Sequence, residues 1–130
     1  MVIDSSAILA VLLGEPESDR LLQVMAAAPA GHRFISAPTL VETRISVFRK
    51  LGREGLDLLA QFLLRFAIAA EHFSEEHVSF AEKAYIDFRS SPAKLNFGDC
   101  LCYALVKSRN DSLLCKGNDF KHTDLRLVQY

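Results

Sequence analysis

The sequence predicts a three-layer α/β fold, in which helices cover both faces of a mainly parallel β-sheet. Short apolar segments of strand length alternate along the chain with longer segments whose apolar residues recur at helical spacing. In addition, 50% of the 130 residues are hydrophobic, which is enough for a core, and no repeat or linker divides the chain. We therefore expect residues 1–130 to form a single domain.

Five short segments are predicted to be strands. The first is Val2-Ile3, whose β-branched side chains suit a buried strand, and the others are segments 34–36, 68–70, 111–115 and 125–128. Two helices are predicted after each of the first three strands, and a short helix separates the last two. Alternation of this kind is typical of parallel strands joined by helical crossovers.

Glycine, proline and capping residues set the predicted helix boundaries. The first two helices are expected over residues 7–13, ending before Gly14, and over residues 17–27, with Pro16 near the first turn. Pro38 opens a third helix, and we assign its core-facing side to Leu40, Val41, Ile45 and Phe48. A fifth helix is expected from the cap Ser74 to Phe88, and a sixth begins near Asp99.

The fourth predicted helix, over residues 56–66, follows a turn at Gly52 and Gly55 and is unusually apolar. It carries the residues Leu56, Leu58, Leu59, Phe62, Leu63, Leu64 and Phe66. One core-facing side does not need so many apolar side chains. Part of this helix is therefore predicted to form a contact between subunits.

Charge and cysteine content exclude several classes of protein. The formal net charge of −1 gives no overall basic field that would indicate nucleic-acid binding. Cys100, Cys102 and Cys115 are odd in number and form no Cys-x-x-Cys pair, so we interpret them as buried thiols in a reducing compartment. No apolar stretch reaches the length of a membrane span, and no signal peptide precedes the first strand. The expected location is the cytoplasm.

Four acidic residues lie at the ends or edges of predicted elements: Asp4, Glu42, Asp99 and Asp119. Parallel strands direct their carboxyl ends to one edge of the sheet, so these four side chains could converge there. Two carboxylates about 5 Å apart repel by about 3 kcal/mol at an effective dielectric constant of about 20, so such a cluster calls for a cation. Oxygen ligands without His or Cys suit Mg²⁺ or Mn²⁺, and such an ion supports hydrolysis of phosphodiesters.

Each of these acids also has an ordinary structural explanation. Asp4 and Asp99 could serve only as helix caps, and Glu42 could be a solvated helix residue. Asp119 could cap a short helix over residues 120–123, in which case the site works with three acids or Asp124 replaces Asp119. Only the set of four, in this order on this alternation of strands and helices, points to a metal-dependent nuclease.

Four segments of the chain resemble the motifs of PIN-domain proteins, and most closely those of the VapC toxins of VapBC toxin–antitoxin systems. They are Val2 to Leu9, Glu42 on the third helix, Asn96 to Cys100, and Leu114 to Asp124. The resemblance implies a PIN-like fold and a Mg²⁺- or Mn²⁺-dependent endoribonuclease that forms a homodimer and is inhibited by a VapB antitoxin. It also implies an acidic site of Asp4, Glu42, Asp99 and Asp119, supported by Ser5 or Ser6 and by Asn96.

The last motif departs from the pattern of many PIN domains, which place the final acid three residues before its Phe. Gly117 stands at that position here, and Asp119 directly precedes Phe120. We predict that Gly117 adopts a positive φ and turns Asp119 into the vacant place. Lys116 and Lys121 flank this acid and could contact phosphates, or could be ordinary solvated lysines.

Three other interpretations compete with the nuclease. A haloacid-dehalogenase-type phosphatase needs a second acid two residues after Asp4, where this chain has Ser6. A phospho-signalling receiver needs paired early acids, which are absent. A catalytically inactive RNA- or partner-binding PIN domain is disfavoured because the acids are present. The four histidines show no metal-site spacing and are interpreted as surface or loop residues: His32, His72, His77 and His122.

Overall fold

A computed structural model describes all residues 1–130. Its centre is a five-stranded sheet in the order β3-β2-β1-β4-β5, and every neighbouring pair of strands is parallel. The strands are β1 (Val2–Ile3), β2 (Arg33–Ser36), β3 (Ile68–Glu71), β4 (Ser112–Leu114) and β5 (Arg126–Leu127). The predicted three-layer fold with a mainly parallel sheet is confirmed, and the first strand occupies the middle of the sheet.

Five α-helices surround the sheet: α1 (Ser5–Leu12), α2 (Ser18–Ala27), α3 (Ala37–Arg65), α4 (Glu75–Phe88) and α5 (Phe97–Arg109). A short 3-10 helix, Asp119–His122, lies between β4 and β5. No helix is both long enough and apolar enough to cross a membrane.

Alternating side chains of the sheet contribute to two separate cores. Ile3, Ile35 and Leu114 pack with α1, α2 and α3 on one face. Val2 and Leu113 pack with α4 and α5 on the other. Because successive residues of a strand point to opposite faces, two-residue strands such as β1 suffice to join both cores. The middle of the sheet is consequently fully buried, and polar groups that follow β1 and β4 lie at its carboxyl edge.

The predicted third and fourth helices are both present, on either side of a kink at Gly52, and they are labelled together as α3. Gly52 has φ 66° and ψ −154°, which are not helical values, whereas Gly55 lies within the helix and packs against Val47 and Leu51. A positive φ of this kind is accessible to glycine without steric cost. Gly52 therefore separates two helical segments, and the turn predicted at this position is confirmed.

The core-facing side of the first half of α3 differs from the prediction. Thr39, Thr43 and Val47 are buried, while Val41, Ile45 and Phe48 are exposed. From hydrophobicity alone, the Thr43 hydroxyl would be expected at the protein surface. It is satisfied inside because it donates a hydrogen bond to the carbonyl of Thr39 at 2.7 Å. The assignment of Val41, Ile45 and Phe48 to the core was wrong for this reason, and these three residues form an apolar stripe on the surface.

The second half of α3 is less available for a subunit contact than its composition suggests. Leu59 and Phe62 are buried, and Leu56, Leu63 and Phe66 pack against the same core at partial exposure. Only Leu58 and Leu64 remain exposed. Most apolar side chains of this half cover α1 and β3. The exposed apolar side chains that could form a subunit contact therefore lie mainly on the first half of the helix.

Arg33, at the start of β2, is buried and holds two helix ends together. Its Nε donates to the Met25 carbonyl at 2.6 Å, Nη1 donates to the Phe66 carbonyl at 2.7 Å, and Nη2 donates to the Ala28 carbonyl. Carbonyls at helix C-termini lack partners within the helix, and their partial negative charge favours a cation. One guanidinium thus caps both α2 and α3.

Candidate functional site

Asp4 occupies the position at which β1 ends and α1 begins, and only 6% of it is exposed. Its backbone N–H donates to the Leu114 carbonyl at 2.9 Å, which ties it to the end of β4. Its Oδ2 accepts hydrogen bonds from the Ser6 backbone N–H at 2.9 Å and from the Ser6 hydroxyl at 2.6 Å. Asp4 is therefore the cap of α1 and also points to the carboxyl edge of the sheet.

Ser6 links the first motif to the last one. Its hydroxyl accepts the backbone N–H of Lys116 at 2.9 Å while it donates to Asp4. Of the two serines considered as supports, Ser6 is the one that contacts the carboxylate. This chain of hydrogen bonds fixes the orientation of Asp4 relative to the segment after β4.

Glu42 projects from α3 toward the N-terminus of α5. A Cβ placed on Gly98 would lie 3.0 Å from Glu42 Oε2 and 3.3 Å from Oε1, so the carboxylate rests directly above this glycine. Burial of the carboxyl group raises the pKa of Glu42, and the charge of Asp4 raises it further. Gly98 is a part of the site that sequence reasoning missed, and its position directly before Asp99 is the signal that could have indicated it.

Asp99 lies in the first turn of α5 and is the third residue after the cap, not the cap itself. Asn96 accepts the Asp99 N–H at its Oδ1 (3.0 Å), and the Asn96 N–H donates to Asp99 Oδ2 (2.8 Å). This reciprocal capping box holds the carboxylate in place. Asn96, proposed as a supporting residue, thus orients Asp99 through the backbone.

The pKa of Asp99 reveals which acids surround it. The pKa of Asp99 is raised to about 6, mainly by burial; the charges of Asp4, Asp119 and Glu42 contribute to the increase, and the hydrogen bond from the Asn96 N–H opposes it. The carboxylate of Asp99 is therefore close enough to feel all three of the other predicted site residues. The four acids, which are far apart in sequence, are gathered at the carboxyl edge of the sheet.

Asp119 reaches this group by the turn that the sequence predicted. Gly117 has φ 103°, and Asp119 Oδ2 lies 4.0 Å from the place where a Cβ of residue 117 would stand. Asp119 is the first residue of the 3-10 helix, and the residue at the cap position is Asn118. The alternative role of Asp119 as a helix cap is therefore wrong.

Two residues near Asp119 lie outside the acidic group. Asp124 accepts the Tyr103 hydroxyl at 2.7 Å and pairs with Lys107 Nζ at 2.9 Å, and these partners lower the pKa of Asp124 in spite of its partial burial. Lys116 pairs with Glu15 and Glu17 on the far side, rather than with a free anion or with Asp119. Neither the alternative acid Asp124 nor a phosphate role for Lys116 fits these contacts.

The three cysteines and His77 are buried in the fold. All three thiols are free and buried, and burial next to Asp4 raises the pKa of Cys102 well above its usual value. His77 was wrongly interpreted as a surface or loop residue, because it is buried in α4: Nδ1 accepts the Ser74 N–H at 2.9 Å, and Nε2 lies 2.9 Å from the Ser108 hydroxyl. The spacing Ser74-x-x-His77 at a helix start is the capping signal for it.

The donor set of the site suits a hard divalent cation. All four side chains offer carboxylate oxygens. The absence of a Cβ at Gly98 lets the Glu42 carboxylate lie at the start of α5. As the side chains stand, no group of three or more His, Cys, Asp or Glu residues is arranged so that it could hold a metal ion. The chemistry of the donors fits Mg²⁺ or Mn²⁺, although the carboxylates do not stand at ligand spacing in this structure.

A family model and several known proteins match this chain over nearly its whole length. A family model described as PIN domain matches residues 1–125. Ribonuclease VapC30 of Mycobacterium tuberculosis is 36% identical over 131 residues, which cover 98% of each chain. Among solved structures, M. tuberculosis VapC20, described as a Sarcin-Ricin loop cleaving toxin, superimposes with a TM-score of 0.80 at 18% identity over 99% of this chain and 98% of that one. A toxin–antitoxin complex from Klebsiella pneumoniae gives a TM-score of 0.73 at 15% identity, over 99% and 97% of the two chains.

Proposed function

The chain belongs to the PIN-domain family, alongside the VapC ribonucleases, and we propose that it is a Mg²⁺- or Mn²⁺-dependent endoribonuclease acting as the toxin of a VapBC module. The observation that carries this proposal is the placement of four acids at the carboxyl edge of the sheet: Asp4 follows β1, Glu42 lies above Gly98, Asp99 stands in the first turn of α5, and Asp119 follows the turn at Gly117. Relatives that are named ribonucleases and match over the full length support the same reaction.

We assign the cation to the carboxylates of four residues: Asp4, Glu42, Asp99 and Asp119. Bound there, the ion would supply positive charge to a phosphoryl group and to the attacking water. The residues of the chain contribute orientation: Ser6 holds one oxygen of Asp4, and Asn96 holds one oxygen of Asp99. In each case the second carboxylate oxygen is left for the cation.

The negative charge of the four carboxylates indicates what kind of partner could bind at the site. A group of four carboxylates is a natural place for an arginine, since a guanidinium bridges carboxylates by bidentate hydrogen bonds. We therefore propose that a VapB-type antitoxin inhibits the protein by placing a basic side chain among Asp4, Glu42, Asp99 and Asp119. The cognate antitoxin should then weaken Mg²⁺ binding in calorimetry, and unchanged Mg²⁺ affinity in the complex would show that it only covers the site.

Cleavage of an RNA panel tests the proposed activity. We expect the wild-type protein to cleave RNA with Mg²⁺ or Mn²⁺ and to lose this activity in EDTA, and we expect Asp4→Asn to reduce the cleavage rate at least about 100-fold because a metal ligand is lost. Asp57→Asn is the matched control, since Asp57 is an exposed acid on the second half of α3. Full cleavage by purified Asp4→Asn would overturn the assignment. RNA binding by the wild type without cleavage under any metal would favour the inactive binding domain.

A further inference from the structure

Lys116, which follows β4, is tied to both ends of helix α1. Its backbone N–H donates to the Ser6 hydroxyl oxygen in the first turn of α1, at 2.9 Å. Its Nζ donates to the Glu15 carboxylate and lies 3.2 Å from Glu17 Oε2, and both glutamates stand between α1 and α2. The Glu15 N–H donates to the Ala10 carbonyl at 2.9 Å, which holds this glutamate at the C-terminal end of α1. One residue therefore fixes α1 to the segment that follows β4.

The ion pairs of the Lys116 side chain are partly shielded from solvent. Only 33% of this side chain is exposed, and 27% of that of Glu17. Glu17 Oε2 itself is covered and accepts no hydrogen bond of ordinary geometry, so the ammonium 3.2 Å away serves as its counter-charge. The hydrogen bond to Glu15 raises the pKa of Lys116, which favours the charged form of the amine. Partly buried pairs are screened less by salt than fully exposed ones, so these contacts can hold a segment in place.

The segment that carries Asp119 begins at Lys116. Gly117, Asn118 and Asp119 are exposed, whereas the next residue, Phe120, is buried in the core. Asp119 thus stands on a short exposed bridge that is held by Lys116 at one end and by Phe120 at the other. Gly117 has a positive φ and no side chain that could add a contact. The position of the Asp119 carboxylate therefore depends on the two ends of this bridge.

A second set of contacts connects Lys116 with Asp4. The Ser6 hydroxyl that accepts the Lys116 N–H donates to Asp4 Oδ2 at 2.6 Å. A displacement of Lys116 would therefore act on Asp4 and on Asp119 together. Residues that orient the ligands of a metal ion without touching the ion commonly have a large effect on its affinity.

We propose that Lys116 is a positioning residue: the ion pairs of its side chain set the spacing of the Asp4 and Asp119 carboxylates and thereby the affinity of the site for a divalent cation. This proposal rests on the proposed function, because it needs the cation that was assigned to the four acids. Lys116 acts through Ser6 and through the backbone of its own segment, and its amine contacts neither the cation nor the RNA.

Mn²⁺ binding in the absence of RNA tests the proposal without a catalytic step. The EPR signal of free aqueous Mn²⁺ measures how much of the ion the purified protein binds. We expect Lys116→Met to raise the Kd for Mn²⁺ about tenfold, the lower end of the range for residues that orient metal ligands. Lys116→Arg should stay within about twofold of the wild type, because a guanidinium can also bridge two carboxylates.

Lys107 supplies the matched control. Its side chain is likewise 33% exposed, and its Nζ pairs with Asp124 at 2.9 Å, outside the acidic group. Lys107→Met should lower the melting temperature but leave the affinity for Mn²⁺ unchanged.

Cleavage kinetics separate positioning from a loss of folded protein. Lys116→Met should raise the Mg²⁺ concentration needed for half-maximal cleavage about tenfold, while the rate at saturating Mg²⁺ stays within about twofold of the wild type. This split is expected because Lys116 touches no reacting atom. A loss of folded protein alone would instead lower the rate at every Mg²⁺ concentration, and that result would contradict the positioning role.

A double-mutant cycle attributes the effect to the ion pairs. The combined variant Glu15→Gln/Glu17→Gln should weaken Mn²⁺ binding as much as Lys116→Met does. Adding Lys116→Met to this variant should cause no further loss, because both changes remove the same contacts.

Several results would overturn the proposal. Equal Mn²⁺ affinities of Lys116→Met and the wild type would show that the ion pairs do not set the spacing. Recovery of Mn²⁺ binding when Lys116→Met is added to Glu15→Gln/Glu17→Gln would show that the glutamates instead keep the amine away from the acids. Weaker RNA binding by Lys116→Met in EDTA, with unchanged Mn²⁺ affinity, would show that the amine contacts a phosphate.

The same measurements distinguish failure of this proposal from failure of the proposed function. Mn²⁺ binding that is weakened by Lys116→Met, in a protein that cleaves no RNA, would refute the nuclease and support the positioning role. RNA cleavage by a wild type whose Mn²⁺ affinity equals that of Lys116→Met would refute only the positioning role. A wild type that binds no Mn²⁺ would refute both.

Discussion

At the scale of single residues, the cost of gathering the acids is concentrated at Asp99. A carboxyl group whose pKa is higher in the folded protein than in the unfolded chain holds its proton more tightly when folded. The contribution of Asp99 to the free energy of unfolding of the metal-free protein should therefore fall as the pH rises from about 4 to about 6, the window between the ordinary pKa and the raised one, and change little above it.

Replacing Asp99 by Asn removes this group from the titration. We expect metal-free Asp99→Asn to be more stable than the wild type at pH 7, by about 1 kcal/mol once solvent screening at this half-buried site is allowed for, and equally stable at pH 4. Urea unfolding at both pH values measures the difference. Addition of Mg²⁺ should raise the melting temperature of the wild type more than that of the variant, and equal shifts would contradict a ligand role for Asp99.

Asp119 provides a second prediction at this scale. Asp119→Asn removes a charge from an exposed residue whose side chain caps no helix, so the melting temperature should stay nearly unchanged. The Mg²⁺ concentration needed for half-maximal cleavage should rise at least about fivefold, since one of few ligands is weakened. Asp124→Asn is the comparison: it breaks the contacts with Tyr103 and Lys107 and should lower the melting temperature without changing the Mg²⁺ requirement. The reverse pattern would make Asp124 the fourth acid.

The sequence alone predicts the positions of some functional residues but not the roles of others. Asp4, Asp99 and Asp119 could be predicted because each stands next to a recognisable boundary: a strand end, a Gly before a helix, and a Gly in a turn. The role of Arg33 could not, because it depends on a carbonyl distant in sequence, that of Phe66. Gly98 and His77 each have a local signal, but their contacts with the Glu42 carboxylate and the Ser108 hydroxyl are visible only in the structure.

At the scale of elements, α3 shows why helical periodicity can fail to identify the buried face. Its first half presents two candidate stripes, and the more hydrophobic one, Val41-Ile45-Phe48, is exposed. The buried stripe contains Thr39 and Thr43, which are small enough to let α3 approach its neighbours, and the Thr43 hydroxyl finds a partner within the helix. Close packing therefore outweighs hydrophobicity at this contact.

Arg33 gives the element-scale prediction, because the ends of α2 and α3 both depend on it. Arg33→Met keeps much of the side-chain volume but leaves the carbonyls of Met25, Ala28 and Phe66 without their donor. We expect the free energy of unfolding to fall by about 3 kcal/mol, which chemical denaturation measures. Arg53→Met, at an exposed position, should change it by less than about 0.5 kcal/mol. Equal effects of the two variants would show that the caps contribute nothing.

At the scale of the whole molecule, the exposed stripe of Val41, Ile45 and Phe48 is the surface that we propose for a homodimer. Ile45→Lys should convert the dimer to a monomer at micromolar concentration in analytical sedimentation, without unfolding it, because Ile45 is already exposed. Leu58→Lys tests the second half of α3, which the sequence favoured, and Ile86→Lys on α4 is a control for added charge. Dissociation by Leu58→Lys alone would return the contact to the second half, and a monomeric wild type would exclude both.

The position of β1 in the sheet also determines when the site can assemble during synthesis. Strand β1 is made before the other four strands, yet it pairs with β2 on one side and with β4 on the other. Asp4 is held to the Leu114 carbonyl, and Asp119 lies further on still. A growing chain therefore carries the first acid from its earliest residues but cannot complete the acidic group until β4 and the following turn have left the ribosome. Any activity that needs all four acids therefore requires synthesis to have passed residue 119.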